Sequence, residues 1–314
     1  MSARGWVLFA AVSVIWGMPY LFIKIGVEEL TPGFVAWSRV ALAALVLLPL
    51  AIKTGALRGL PLRWLVAFAA VEIAVPFPLI GFGEQRISSS LAAILIAALP
   101  LVVSFLALRF DRAERPTPVR LVGMLVGLSG VVALVGIDIG GRGPELLGAA
   151  AVLTATLGYA CGPLIVKRHL AGADPLGPVT AAMAIASIML LPFGIGDFPT
   201  ETPATDTLVA IVVLGLVCSA AAFLLFFRLI AEVGPSRATV ITYVNPIVAL
   251  ALGVAVLGES VTAGAIAGLL LILAGSWLAT DGRVPPGLAA IVTRAQERRG
   301  AKAAARTRPA ELRG

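Results

Sequence analysis

Ten stretches of about 20 apolar residues follow one another along this chain, separated only by short breaks. Crossing ~30 Å of hydrocarbon as a helix takes about 20 such residues, so each stretch is long enough to span a bilayer. They lie near 5–24, 33–52, 63–82, 88–109, 118–137, 145–166, 175–195, 207–227, 236–256 and 262–281. Turn-formers and charges part them, as in LTPG at 30–33, RAERPTP at 112–118, IGGRGPE at 139–145 and DFPTETPATD at 197–206. Only 13% of the 314 residues are charged, about half the share usual in soluble domains. A single water-soluble core stops growing near ~250–300 residues and could not hide the rest. An ordinary soluble enzyme, a secreted disulfide scaffold and a disordered chain are excluded. The expected fold is an all-α membrane protein of ten transmembrane helices.

The net charge of +7 is concentrated at one end. Residues 282–314 form a basic tail with Arg283, Arg294, Arg298, Arg299, Lys302, Arg306, Arg308 and Arg313 against Glu297 and Glu311. Within it Leu288, Ile291, Val292 and Ala295 fall at helical spacing, which predicts a short amphipathic helix on anionic lipid followed by disordered basic chain, with a wholly disordered tail as the alternative. Nucleic acid is not an expected partner. If the N-terminus is cytoplasmic, twenty Lys and Arg fall on the inner side, among them Lys53, Arg109, Arg112, Arg115, Lys167 and Arg237. Only Lys24, Arg86 and Arg142 fall outside. The positive-inside rule therefore predicts a multi-pass plasma (inner) membrane protein with both termini in the cytoplasm. Cys161 and Cys218 both lie in apolar segments, so neither a disulfide framework nor a metal site is expected.

The chain also resembles itself. Trp16 and Lys24 match Tyr159 and Lys167 at an offset of 143, and Pro32 matches Pro175. Ser90 and Pro100 match Ser236 and Pro246 at 146, and Glu114, Thr117, Gly123 and Gly130 match Glu259, Thr262, Gly268 and Gly275 at 145. The expected units are residues 5–137 and 145–281. Five spans is an odd number, so the second unit enters the membrane from the opposite face. Two inverted five-helix repeats are a recurrent architecture of secondary transporters, with the site near the midplane where the halves meet.

Several stretches resemble the ten-span EamA-like exporters of the drug/metabolite transporter superfamily: IWGMPYLFIK (15–24), TPGFVAWSRVALAALVLLP (31–49), LAAILIAALPLVVSFLAL (91–108) and GPSRATVITYVNPIVALALGVAVLGESVTAGAIAGLLLILAGSWL (234–278). The family commonly has Gly-Glu after its fourth and ninth spans. Gly258-Glu259 keeps this, whereas the first copy reads Ala113-Glu114. The resemblance implies export of small metabolites, often amino acids or related compounds.

Ionisable groups inside a bilayer are functional candidates by default. Two fall within spans, Arg39 and Glu72, with Glu72 about 13 Å deep at 1.5 Å per residue. Glu72 is read as a proton-coupling or cation-binding carboxylate that also touches substrate, with Arg39 as its partner in coupling. The plainer alternative is an Arg39–Glu72 ion pair that fixes the packing of spans 2 and 3. Pro76 and Pro78 just after Glu72 remove backbone donors and open carbonyls there. Pro19, Pro100, Pro163 and Pro246, near mid-span, are expected hinges. Trp16, Tyr20, Phe77, Tyr159, Tyr243 and Asn245 are the further candidates to wall a substrate cavity. Phe223 and Phe227 are expected in packing, Trp64 and Trp277 in the interfacial belt. The paired glycines serve close helix approach, and Glu114 and Glu259 favour helix N-termini.

No G-x-x-x-x-G-K-[ST] is present, so no nucleotide drives the cycle. No cofactor is expected. The expected function is a monomeric secondary transporter working by alternating access, with an importer of the same fold as the alternative. An intramembrane enzyme would need motifs such as H-E-x-x-H or G-x-S-x-G, which are absent; the single histidine, His169, falls in a loop.

Overall fold

The computed structural model describes residues 2–110, 117–136, 143–233, 238 and 240–281. Six helical stretches there are long and apolar enough to cross a membrane, and four more apolar helices are shorter. Apolar side chains crowd the outer surface, with Leu45 71% and Leu125 67% exposed. Hydrocarbon is the solvent in which such faces are at rest.

The first stretch is α1 (Ala3–Gly17) and α2 (Pro19–Glu29), broken at Met18. Pro19 stands at the first turn of α2, where a missing N–H is harmless. Helix α3 (Pro32–Thr54) follows, capped by Thr31, whose hydroxyl accepts from the Phe34 amide. Next come α4 (Leu62–Ala69), a π-helical turn over Ala70–Ala74, and α5 (Pro76–Glu84). Helices α6 (Ser89–Ile96) and α7 (Leu99–Phe110) form one bent span, and α8 is Pro118–Leu134. The second set is α9 (Gly143–His169), α10 (Leu176–Met189) with α11 (Leu191–Gly196), and α12 (Thr205–Val212). It continues through a π-helical stretch, Val213–Ala221, into α13 (Ala222–Val233), then α14 (Ile241–Leu257) and α15 (Ala263–Asp281).

Which ends meet fixes the directions. Lys24, near the end of α2, donates to the carbonyls of Glu84 and Ile87 at the end of α5, so these two spans run the same way. Gly148, near the start of α9, sits against Arg86 and the Gly83 carbonyl, while His169 at its far end stacks on Trp64 at the start of α4. Helix α9 therefore runs opposite to both. The neighbours also exchange as sets: α9 packs on α5, α6 and α7, and α1 packs on α13 and α14. Like packs on like where α3 meets α10, α6 meets α14 and α8 meets α15. Gly123 and Gly130 on α8 lie directly on the backbone of α15 at Ala279 and Ile272, which only a residue without a side chain permits.

Several expectations need amendment. Spans 1 and 3 extend to Glu29 and Glu84, which brings Lys24 out of the loop and Glu84 into the helical stack. Pro19 and Pro100 sit at helix breaks, but Pro163 and Pro246 lie inside unbroken helices. The four are not equivalent, because a proline deletes one ladder bond and ends a helix only where the flanking turns are not held. Trp64, at the start of α4, is stacked on His169 at 3.5 Å between ring centroids. Glu114, Arg112, Arg115, Arg142, Ser236, Arg237 and the tail 282–314 lie outside the described residues, as does the side chain of Arg109.

Candidate functional site

A cavity of about 310 Å³ opens between α1–α2, α3, α4–α5, α6–α7, α9, the Val213–Ala221 stretch with α13, and α14. Its wall carries Trp16, Tyr20, Arg39, Glu72, Phe77, Tyr159 and Asn245, with all four prolines Pro19, Pro100, Pro163 and Pro246. Local backbone chemistry explains why the polar members reach it. Pro76 has no amide to give to Glu72, so the chain widens and the Val75 amide bonds the Ala70 carbonyl instead, 3.0 Å away and five residues back. The π turn this makes, Ala70–Ala74, carries Glu72. Such one-turn widenings collect at functional sites because they re-aim a side chain within an otherwise regular helix. On the facing side Val213–Ala221 does the same for Cys218 and Ser219.

The two charged groups do not pair. Arg39 Nε donates to Ser219 Oγ at 2.8 Å, and its guanidinium carbon stands 4.1 Å from the centre of the Phe77 ring. Ser219 Oγ in turn donates to the Leu214 carbonyl at 2.9 Å, which leaves it a lone pair for Arg39. Glu72 Oε2 is buried without a hydrogen-bond partner, against Gly162 of α9. In place of the alternative ion pair stand a guanidinium resting on a hydroxyl and a ring, and a separate carboxyl. Long side chains within reach did not close the gap, since Ser219 and Phe77 already hold Arg39.

Aromatic rings form one side of the cavity. Trp16 meets Phe223 edge-on at 5.4 Å and Phe226 at 4.7 Å. Phe223, expected only in packing, lines the cavity, whereas Phe227 stays in the neighbouring core. Tyr243 is not among the lining residues; its ring turns to Trp277, 6.2 Å away. Helical geometry accounts for this: Thr242, Asn245 and Pro246 share one face at i, i+3, i+4, and Tyr243 is about 100° round the helix. With its amide nitrogen turned inward, Asn245 donates to the Ile241 carbonyl at 2.9 Å and the Ser13 carbonyl at 3.1 Å, which ties α14 to α1.

Residues that sequence reasoning passed over complete the site. Ser219, Cys218, Thr242 and Phe226 carry no obvious mark in an apolar segment, though Phe226 repeats Phe223 one turn on. Gly162 makes room for Glu72, and its position one residue before Pro163 was the available signal. Glu84 is fully buried. No cluster suited to a metal ion occurs among the described residues.

Residues 3–136 and 146–280 each match the sequence model of the EamA-like transporter family. An inner membrane transporter, YedA, from Escherichia coli K12 is 30% identical over 263 residues, covering 80% of this chain and 82% of its own. A probable amino-acid metabolite efflux pump of the same strain is 23% identical over 288 residues, covering 88% and 95%. One solved crystal structure of a protein aligns with a TM-score of 0.63 at 18% identity, covering 89% of this chain and 97% of that one.

Proposed function

The chain belongs to the EamA-like transporter family, and from that premise we propose that this membrane transporter exports amino acids or closely related small metabolites across the plasma (inner) membrane. Export and cargo are supported by the Escherichia coli relative, a probable amino-acid metabolite efflux pump. The cavity chemistry supports the same cargo. A zwitterion needs a cationic partner for its carboxylate and an anionic one for its ammonium, kept apart so that neither cancels the other. Arg39 and Glu72 line one cavity, each facing it without bonding the other. That is the observation that carries the proposal. The carboxylate goes to the guanidinium, where charge-assisted bonds are strongest. The ammonium goes to Glu72, and the remaining side chain lies on Trp16, Tyr159 and Phe223.

The cycle we propose is alternating access between two inverted five-helix units, residues 5–137 and 145–281, with Pro19 and Pro100 as hinges where their spans break. Glu72 serves twice, for the ammonium and for a proton, so that cargo and proton take turns on one carboxyl. Both termini face the cytoplasm in this arrangement, the basic tail lies on anionic lipid, and the monomer is the working unit. The test is uptake and efflux of a labelled amino-acid mixture in proteoliposomes under an imposed pH gradient. Gradient-driven movement of at least one amino acid is expected, and Glu72→Gln abolishes the response to pH. Movement that ignores both pH and this substitution refutes the coupling and leaves transport standing.

A further inference from the structure

Ile23, Ile80 and Ala93 line the cavity towards the end of α2, the end of α5 and the start of α6. About one helical turn beyond them lies a polar cluster joining elements of both sequence halves. Glu259, in the link from α14 to α15, reaches across to the start of α6. Its carboxylate accepts from the Ser89 amide at 2.7 Å, the Ser90 amide at 3.0 Å and the Ser90 hydroxyl. The sequence suggested that Glu259 serves the helix that follows it; that helix is capped by Thr262 instead, which accepts from the Ala265 amide at 2.9 Å. Gly258, at φ 64°, makes the left-handed turn that swings Glu259 back. Gly253 has no side chain to occupy the space where Glu259 and Ser90 meet.

Within electrostatic reach of Glu259 lies Glu84, fully buried, with neither carboxyl oxygen bonded. The charged groups facing it are Lys24 from α2, Glu259 from the link and, deeper, Arg39 from α3, with Tyr20 as a titratable neighbour. Lys24 donates to the Glu84 and Ile87 carbonyls and not to the Glu84 carboxyl.

We propose that this cluster is the gate on that face of the membrane, with Glu259 as its latch and Glu84 sealed from water while the latch is shut. When Glu259 lets go of α6, water enters and reaches Glu84 and the Lys24 ammonium beside it. The inference rests on the transporter reading but not on its cargo.

The test places one cysteine at Ile96, a part-exposed cavity residue, after replacing Cys161 and Cys218 by serine. A membrane-impermeant thiol reagent is applied from each face in turn, and the ratio of the two rates cancels the ionisation of the thiol itself. Glu259→Gln is expected to raise relative labelling from the Glu259 face about tenfold, the size of losing charge-assisted bonds. Ser90→Ala, a milder change, gives an intermediate rise. Unchanged ratios in both Glu259→Gln and Ser90→Ala overturn the latch. Labelling that behaves as stated in a protein that moves no solute sinks the transport reading and leaves the gate.

Discussion

The Glu72 carboxyl occupies the space that a side chain at Gly162 would take. One helix of the second half thus carries a hole shaped for the candidate coupling carboxyl of the first. Gly162→Ala should push Glu72 off its seat while the helix itself gains propensity. The expected result is a folded protein whose KM for cargo rises about tenfold, with an overpacking cost of about 1–3 kcal/mol at most. Initial-rate transport beside a melting curve in detergent separates the two effects.

Arg39 is steered by Ser219, so removing the hydroxyl should loosen the guanidinium without deleting its charge. Ser219→Ala is expected to weaken cargo binding by about 1.5 kcal/mol, in the range measured for bonds to charged groups. Arg39→Lys should do worse, because an ammonium cannot present the planar fork that holds a carboxylate by two bonds. Binding isotherms of the three proteins, ranked in that order, check this.

Tyr243 and Phe226 make a discriminating pair. Phe226 lines the cavity against Trp16, and Tyr243 faces Trp277. Phe226→Ala should shift preference towards bulkier side chains, whereas Tyr243→Ala should leave the order of cargo preference as it is. Competition by a series of amino acids of increasing side-chain size reads both.

The α8–α15 contact should depend on its glycines more than on any bulky residue. Gly130→Leu has no room over Leu271 and Ile272 and is expected to cost about 2 kcal/mol or more. A chemical or thermal melt of the purified protein measures it, and a change within error would remove the close-approach account.

The helical class and about half of the cavity wall were legible in the sequence, since apolar length and the placing of prolines and aromatics are local properties. Trp16, Tyr20, Tyr159 and the prolines reach the cavity because each lies near mid-span, where the halves meet. Tyr243 was legible by depth but not by angle, because a rotation of about 100° is decided by which neighbours α14 packs on. The Arg39–Glu72 pairing failed for a related reason: depth alone cannot reveal that Ser219 and Phe77 reach Arg39 first. Glu84 was hidden by a span end two residues off, and Glu259 by a partner 169 residues away in the chain.

The central claim is that Arg39 and Glu72 divide a zwitterion between them. The most direct measurement titrates the purified protein with a transported amino acid, its amine lacking the carboxylate and its acid lacking the ammonium. Removing either charged group should weaken binding to the native protein sharply. In Arg39→Gln the amine should bind as well as the parent amino acid, and in Glu72→Gln the acid should do so. A native protein that binds all three equally, or variants that still distinguish them as the native protein does, would contradict the account.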